Sequence, residues 1–278
     1  ITFVINKCLE DAKLSIKDIS GIAVTYGPGL VGALLVGVSA AKGLAYSSNK
    51  PLVGVNHMHG HIAANYLSHP DLEPAFICLS VSGGHSEIVR VDNYSDMTIL
   101  GCTRDDAAGE AIDKIARVIG LGYPGGPKMD KAGRNGNTDA FKFSHTHMKD
   151  SLDFSFSGIK SSALNQLNEM RMRGVEINIA DFAASYQQHI ASELAKNTLE
   201  AIKMTGIKKV CLAGGVSANS FLRNLIDSEA KKMGVKVYYP DLKLCTDNAA
   251  MIACAGFYEY IRGVRHGLDL NAVPSLSL

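Results

Sequence analysis

The stretch "AFICLSVSGGHSEIVRV" (residues 75–91) predicts two strands joined by a tight turn. Its two ends, "AFICLSV" and "EIVRV", are strand-like apolar runs, and Gly83 and Gly84 stand between them. A Gly-Gly pair in this setting is typical of a tight antiparallel hairpin. Two glycines after a strand also let backbone N–H groups approach an anion closely. A plain hairpin turn and an anion-binding loop are both compatible with this stretch.

Around this hairpin, strand-like and helix-like runs alternate along the chain. Strands are predicted at 21–26, 52–55, 75–81, 87–91, 210–213 and 235–239. Helices are predicted at 1–12, 31–47, 57–67, 107–119, 157–173, 180–205, 218–233 and 247–263. Since strands and helices alternate and one connection is a hairpin, the sequence predicts α/β lobes with mixed sheets.

Composition narrows the class of protein. The 278 residues are 46% hydrophobic and 20% charged, which is typical of a globular protein and not of a disordered or fibrous one. The net charge of +1 provides no overall attraction for nucleic acid, so an RNA partner would need a local patch or a helper protein. The six cysteines contain no C-x-x-C pair, which predicts reduced thiols and a cytoplasmic location.

The N-terminal region contains an apolar run that needs an explanation. Residues 19–41 are uncharged and long enough to cross a bilayer, but their glycines and the turn signal "YGPG" favour a strand, a loop and a buried helix. No membrane contact is therefore expected. The chain begins with "ITFVINKCLEDA", an amphipathic helical pattern already under way, which favours a sequence that is truncated at its start.

Three histidines lie close together in "NHMHGHIAANY" (56–66). His57 and His61 are spaced i, i+4, so a helix would place both imidazoles on one face, within reach of one metal ion. His59 would point elsewhere. A solvated polar helix face is the alternative. The residues between the pair include no glutamate, so the general base of an H-E-x-x-H metalloprotease is missing.

Two histidines hold a metal weakly, so this pair predicts a third ligand from elsewhere in the chain. The segment "CTDNAAMIA" (245–253) offers Asp247, which is predicted to follow a strand and to open an apolar helix. Aspartate at such a position is commonly only a helix cap. A set of two histidines and one carboxylate would leave open coordination positions, which suits iron or zinc polarising a substrate oxygen.

Four further segments have ligand-binding and plain structural interpretations. In "GPGLVG" (27–32) a dinucleotide site is disfavoured, because Pro28 lacks an N–H and the next strand ends in Asn56, not in an acid. In "AGGVSANSFLR" (213–223), a Gly-Gly turn before a helix suits an anion or nucleotide, with Asn219 as a contact or only a cap. In "DFSFSGIK" (153–160), Lys160 could meet a phosphate or be a surface lysine.

The fourth is an acidic stripe. "DDAAGEAIDKIAR" (105–117) places Asp106, Glu110 and Asp113 at helical spacing, where they could accept hydrogen bonds from ribose hydroxyls or simply face solvent. The following "GYPGGP" (122–127) predicts a rigid loop whose Gly125 and Gly126 let backbone lie against a flat ligand.

Seven motifs taken in order closely resemble one enzyme family, the TsaD-type tRNA threonylcarbamoyladenosine transferases, in its bacterial and organellar branch. The motifs are "HMHGH", "SVSGGH", "DDAAGEAIDK", "GYPGGP", "DFSFSGIK", "GGVSAN" and "CTDNAAMIA", and the match runs from about residue 20 to 260. The resemblance implies an α/β fold of the actin-like, sugar-kinase-like (ASKHA) type, with mixed sheets and a nucleotide cleft between two lobes. We expect residues 1–72 with 250–278 to form the first lobe and 73–249 the second.

The resemblance also implies an activity. The family transfers a threonylcarbamoyl group from threonylcarbamoyl-AMP to N6 of the adenosine 3′-adjacent to the anticodon, in tRNAs that read codons beginning with A. It implies one divalent metal ion, with Fe²⁺ preferred over zinc, held by His57, His61 and Asp247. The implied contacts to the adenylate are Ser80, Val81, Ser82, Gly83, Gly84, Asp113, Gly126, Asp130 and Asn219.

The resemblance further implies tRNA, threonylcarbamoyl-AMP or ATP/AMP, a paralogous TsaB-like subunit and a TsaE-like ATPase as partners. Family members open with a strand block whose loop can supply a catalytic Asp. That block is missing here, so no catalytic residue is assigned. Two other hypotheses stay open: a catalytically idle nucleotide-binding scaffold subunit, and a metalloprotease.

Overall fold

The structure is a computed structural model that describes residues 1–144, 148 and 151–278. The strands are β1 (Ile22–Gly27), β2 (Leu52–Asn56), β3 (Phe76–Val81), β4 (Ser86–Val91), β5 (Met97–Cys102), β6 (Lys209–Ala213) and β7 (Lys236–Tyr238). The helices are α1 (Thr2–Ala12), α2 (Val31–Ser48), α3 (His57–Ser68), α4 (Ala108–Val118), α5 (Gly125–Gly133), α6 (Ser157–Met172), α7 (Ile179–Thr205), α8 (Ser220–Lys232) and α9 (Ala249–Ile261). Short 3-10 turns occupy Ile16–Asp18, Gly215–Ala218 and Leu242–Leu244.

The chain forms two compact units, and each has its own sheet. Unit 1 comprises Ile1–Pro70 and Asp247–Leu278, and unit 2 comprises Asp71–Thr246. In unit 1, β1 and β2 pair in parallel. The buried face of α2 packs against this pair together with Leu270 from the C-terminal segment. That segment also pairs with the strands, since the His266 amide donates to the Leu52 carbonyl (2.8 Å) and the Val273 amide to the Tyr26 carbonyl (2.7 Å).

Unit 2 is built on a mixed sheet in the order β5-β4-β3-β6-β7. The predicted hairpin is present, because β3 and β4 pair antiparallel with Ser80 opposite Glu87. The strand β3 also pairs in parallel with β6, and β6 pairs in parallel with β7. Apolar side chains on one face of the sheet pack with α4, α6, α7 and α8 into one core. The prediction of an α/β fold with mixed sheets is confirmed.

The structure differs from the predicted elements at two places in unit 2. The strand β5 was not predicted, because it is a partly exposed edge strand in which Thr98 and Ile99 face solvent and the burial pattern does not alternate cleanly. The segment "GYPGGP" does not stay a loop throughout, since α5 begins at Gly125. Glycine and proline disfavour helix, but the Gly125 amide donates to the Asp113 carboxylate of α4, and this hydrogen bond offsets that preference.

The helix α2 is not buried as a whole. Leu34, Val38, Ala41 and Ala45 form its buried face, whereas Val36 is 60% exposed and Tyr46 77% exposed. The helix is long and apolar enough to cross a bilayer by length and composition alone, and helices of proteins without a membrane contact also meet that criterion. The residues before it form the predicted strand and loop.

Candidate metal centre and ligand-binding loops

The two spaced histidines lie at the start of α3, directly after the buried strand β2. The side-chain oxygen of Asn56 accepts a hydrogen bond from the Met58 amide (2.8 Å) and caps the helix. This cap fixes where α3 begins, because it satisfies one of the free N–H groups of the first turn. His57 is therefore the first helical residue, and His61 follows one turn later on the same face.

Both imidazoles meet one carboxylate. His57 Nε2 and His61 Nε2 each lie 3.2 Å from Asp247 Oδ1. The His61 side chain is 2% exposed, the His57 side chain 21% and the Asp247 side chain 77%, so the group is closed on one side and open on the other. The hydrogen bonds from His57 and His61 hold the pKa of Asp247 well below its ordinary value. Asp247 is thus a carboxylate at neutral pH.

Helix packing within unit 1 places Asp247 beside α3. The helix α9 packs against α3, with the rings of Tyr66 and Tyr258 5.3 Å apart. Asp247 does not open α9 as predicted, because Asn248 is the cap and accepts from the Met251 amide (2.8 Å). The segment before it ends in a 3-10 turn, Leu242–Leu244, and not in a strand. Since Asn248 caps the helix, the Asp247 carboxylate is left to face the histidines.

The donor set fits a divalent metal ion. Among the residues that the structure describes, His57, His61 and Asp247 form the group in which three possible ligand atoms lie within 4.8 Å of one another. Imidazole nitrogen and carboxylate oxygen are common ligands of iron and zinc. His61 Nδ1 is buried and has no hydrogen-bond partner in the described part of the chain. His59 is not in the group, and burial lowers its pKa beside Glu259 and Arg262.

In unit 2, the hairpin loop between β3 and β4 meets the start of α4. The Ser82 amide donates to the His85 carbonyl (2.8 Å), and Ser82 Oγ accepts from the His85 amide (3.1 Å), which closes the turn around Gly83 and Gly84. A Cβ atom on Gly109, in the first turn of α4, would lie 2.5 Å from the Ser82 carbonyl oxygen. The absence of a side chain at Gly109 therefore lets α4 begin against the loop.

The loop after β6 also approaches this hairpin. Gly214 has a φ of 81°, and a Cβ atom there would overlap the Val81 carbonyl oxygen, so glycine is required on both counts. The buried hydroxyls of Ser80 and Ser217 have no hydrogen-bond partner in the described part of the chain. Buried polar groups without a partner are uncommon and need an explanation such as a bound polar ligand or water. Ser80 lies in "SVSGGH" and Ser217 in "GGVSAN", two of the segments predicted to bind a ligand.

The helix α5 begins at a carboxylate that α4 supplies. Asp113 Oδ1 accepts hydrogen bonds from the Gly125 amide (2.7 Å) and the Gly126 amide (3.3 Å). A carboxylate at a helix N-terminus satisfies free N–H groups and complements the helix dipole. Asp113 and Gly126, both predicted as ligand contacts, are thereby brought together, and Asp113 Oδ2 takes no part in these two bonds.

Asp130 and Asn219, two further predicted contacts, lie where α5 meets the start of α8. Asp130 Oδ1 accepts from the Ser220 amide (2.8 Å) and from the Ser220 hydroxyl (2.6 Å). Asn219 caps α8 through the Leu222 amide (3.0 Å), so its structural interpretation is confirmed, and its Nδ2 donates to Gln187 Oε1 (2.8 Å). Gln187 was missed by the sequence analysis. A buried glutamine among the apolar residues of α7 was the available signal.

Residues of the acidic segment 105–117 form hydrogen bonds and an ion pair with residues of "DFSFSGIK". Asp106 lies before α4, not on it, and its carboxylate pairs with Lys114 and Lys160. Lys160 is therefore neither free for a phosphate nor an isolated surface lysine. Asp105 accepts from the hydroxyls of Ser155 (2.5 Å) and Ser157 (2.6 Å) at the start of α6.

The fold defines the class of protein. A structure of full-length HypF superposes with a TM-score of 0.69 at 16% identity, over 95% of this chain and 42% of that one. A component of the Acidaminococcus fermentans (R)-2-hydroxyglutaryl-CoA dehydratase superposes with a TM-score of 0.52 at 16% identity, over 93% of this chain and 82% of that one. These likenesses show the fold alone, and it is the predicted actin-like ASKHA type.

Sequence comparison identifies the family within that class. The family described as TsaD: tRNA N6-adenosine threonylcarbamoyltransferase matches residues 1–254. A protein of that name from Clostridium botulinum (strain 657 / Type Ba4) is 55% identical over 279 residues, covering 100% of this chain and 82% of the relative. One from Clostridium kluyveri is 54% identical with the same coverage. The chain belongs to the tRNA N6-adenosine threonylcarbamoyltransferase family, so it is a tRNA-modifying transferase.

Proposed function

We propose that this chain transfers the threonylcarbamoyl group of threonylcarbamoyl-AMP to N6 of the adenosine 3′-adjacent to the anticodon, in tRNAs that read codons beginning with A. The N6 amine attacks the carbamoyl carbonyl carbon and loses a proton. The bond from that carbon to the phosphate oxygen breaks, and AMP leaves. The observation that carries the proposal is the His57, His61 and Asp247 group, since this chemistry benefits from a polarised carbonyl oxygen.

His57, His61 and Asp247 would hold one divalent metal ion, Fe²⁺ in preference to zinc. When bound, the ion supplies Lewis-acid polarisation of the threonylcarbamoyl group. The chain's own contribution is a prearranged donor set, because the caps on α3 and α9 fix both helix starts. The open side at Asp247, which is 77% exposed, leaves access for a substrate oxygen.

The unit 2 loops would bind the adenylate. The proposed contacts are Ser80, Val81, Ser82, Gly83, Gly84, Asp113, Gly126, Asp130 and Asn219. Three observations support them: the Ser80 hydroxyl has no partner in the described part of the chain, Asp113 Oδ2 takes no part in the bonds to Gly125 and Gly126, and hydrogen bonds tie Asp130 to the start of α8. Backbone N–H groups of the hairpin loop suit the phosphate, and a carboxylate suits ribose hydroxyls. We propose that units 1 and 2 correspond to the two predicted lobes.

The proposal includes protein partners and a cytoplasmic location. A TsaB-like subunit would bind unit 1. A TsaE-like ATPase would complete the assembly.

The activity is tested with the purified chain, both partner proteins, threonylcarbamoyl-AMP and an unmodified tRNA that reads an A-starting codon. Mass spectrometry of the digested tRNA should show threonylcarbamoyladenosine with wild-type protein. His61→Ala should lower the rate by at least about 10- to 100-fold, the loss that follows even when a residue supporting a metal ligand is removed. Lys203→Ala, on the exposed end of α7, should retain the wild-type rate. Product at the wild-type rate from His61→Ala would refute the proposed role of the metal group.

The scaffold alternative makes a different prediction. An idle nucleotide-binding subunit would bind AMP but produce no modified adenosine under any of these conditions, and it would contain no metal. The metalloprotease alternative lacks support from the site, because Met58, His59 and Gly60 separate the two histidines and no glutamate lies between them.

A further inference from the structure

A cationic surface that includes an exposed tyrosine lies beside the proposed adenylate contacts of unit 2. It comprises the end of α4, the loop that follows and the outer face of α5, with the side chains Arg117, Tyr123, Lys128, Lys131 and Arg134. We call this set the α5 cationic surface. Tyr123 is 68% exposed, and the four basic residues are all exposed.

Most charges of this surface are not neutralised by an ion pair within the described part of the chain. Arg117, Lys128 and Lys131 form no ion pair with any described residue. Arg134 approaches a carboxylate only at 3.7 Å, and that carboxylate, Asp130, already accepts two hydrogen bonds from Ser220. Some basic residues on other helices do pair with an acid one turn away: Arg173 with Glu169 (2.6 Å), Lys203 with Glu200 (3.3 Å) and Lys232 with Glu229 (2.6 Å).

The arrangement of α5 connects this surface to the proposed site. Gly125, Met129 and Gly133 form the buried face of the helix. Gly126 and Asp130, one turn apart, lie at one edge of that face, and Arg134 follows Asp130 by one turn on the same side, 3.7 Å from its carboxylate. Lys131 lies on the outer face of the helix, and Lys128 lies across the helix from Gly126 and Asp130. Lys128 Nζ also donates to the Tyr123 carbonyl (3.3 Å), which ties the loop to the helix. An acceptor nucleotide that reaches the adenylate would therefore bring its neighbours onto this surface.

We infer that the α5 cationic surface binds single-stranded nucleotides of the tRNA substrate that flank the acceptor adenosine. Lysine and arginine suit the phosphates, and an exposed aromatic ring suits a stacked base. A local patch of this kind is needed because the whole chain carries a net charge of only +1. The inference rests on the proposed adenylate contacts Gly126 and Asp130.

The test measures binding of an unmodified tRNA to the wild-type chain and its variants over a range of salt concentrations. Tyr123→Ala should weaken binding about tenfold, which corresponds to loss of one base stack, whereas Tyr123→Phe should bind within about twofold of wild type because it keeps the ring. The double variant Arg117→Gln with Lys131→Gln should bind more weakly and lower the slope of log K against log salt by about 0.7 per lost phosphate contact.

Two matched controls have the same chemistry elsewhere. Phe257→Ala removes an aromatic ring that is 56% exposed on α9, and Lys203→Gln removes a lysine paired within α7. Both should bind tRNA as wild type does. The inference is overturned if Tyr123→Ala and the double variant also bind as wild type, if the wild-type chain binds no tRNA, or if the same variants lose double-stranded DNA binding equally, which would indicate a general polyanion surface. A chain that binds tRNA through this surface but makes no threonylcarbamoyladenosine would refute the proposed function and leave this inference standing.

Discussion

The first turn of α4 lies so close to the hairpin loop that a Cβ atom on Gly109 would be 2.5 Å from the carbonyl oxygen of Ser82. The neighbouring atom is backbone, so a rotamer change cannot relieve the overlap. The position of α4 in turn sets the position of Asp113, which holds the start of α5. The small size of Gly109 thus lets α4 lie against the β3–β4 loop, and α4 in turn positions the start of α5.

Gly109→Ala should destabilise unit 2 by about 1–3 kcal/mol, because overpacking a close contact forces the backbone to shift. It should also weaken AMP binding, since the hairpin loop and Asp113 would separate. Denaturant unfolding and calorimetric titration with AMP measure the two effects. The matched control is Gly43→Ala on α2, where a Cβ would meet no atom within 4 Å. That variant should be more stable by about 0.5–1 kcal/mol. An unchanged Gly109→Ala protein would contradict the close approach.

The two roles of Asp113 can be separated by two substitutions. Asp113→Asn keeps an oxygen that can accept from the Gly125 and Gly126 amides, so the free energy of unfolding should change little. It removes the negative charge offered to the ribose, so AMP affinity should fall about tenfold or more, as for loss of a charged hydrogen bond. Asp113→Ala should lower both the free energy of unfolding and the affinity for AMP. If Asp113→Asn binds AMP as tightly as wild type, Asp113 acts only as the support for α5.

A pH dependence follows from the contacts of Asp105. Burial alone would raise the pKa of Asp105, but hydrogen bonds from Ser155, Ser157 and the Phe156 amide lower it below the ordinary value. A lowered folded-state pKa gives stability that is present above the unfolded-state pKa of about 3.9 and is lost as the pH falls below it.

Asp105→Asn should therefore be less stable than wild type by about 1–2 kcal/mol at pH 7, the scale of hydrogen bonds to a charged group. The difference between the two proteins should shrink as the pH falls below about 4. Urea unfolding at pH 7 and pH 3.5 measures it. The control Asp11→Asn removes an exposed carboxylate that pairs with Lys7 and should change stability by less than about 1 kcal/mol at either pH. If the difference in the free energy of unfolding between wild type and Asp105→Asn grew as the pH fell, the predicted direction of the pH dependence would be wrong.

The local pattern was sufficient to predict most of the fold. Strands such as 210–213 and helices such as 180–205 follow from apolar runs and helical periodicity, and the structure confirms them as Lys209–Ala213 and Ile179–Thr205. The start of α5 could not be predicted in this way, because "GYPGGP" disfavours helix and its N-terminus depends on Asp113, which lies on another helix. Likewise, the edge strand β5 gains its regularity from pairing with β4 and not from its own sequence.

Some residues of the candidate sites could likewise be predicted from local sequence, whereas others depend on contacts between distant segments. The i, i+4 spacing of His57 and His61 could be recognised from local sequence, and the fold brings Asp247 to both. Nothing local to "CTDNAAMIA" shows that Asn248 caps α9 and leaves Asp247 available, because both residues are good caps. The role of Gln187, which contacts both Asn219 and the Met129 carbonyl, depends on three separate helices and so has no local signal beyond its polarity.

The most direct test is the metal content of the purified chain, measured by mass spectrometry after exhaustive removal of loosely bound ions and reloading with Fe²⁺ or Zn²⁺. The wild-type chain should retain about one ion, as expected for a single two-histidine, one-carboxylate site. His59→Ala, on the same helix but outside the donor group, should retain the same amount. At a free metal concentration about ten times the wild-type dissociation constant, Asp247→Ala should lose about half to nine-tenths of the ion, as expected for a 10- to 100-fold loss of affinity. Equal metal content in the wild-type chain and Asp247→Ala would contradict the three-residue metal centre.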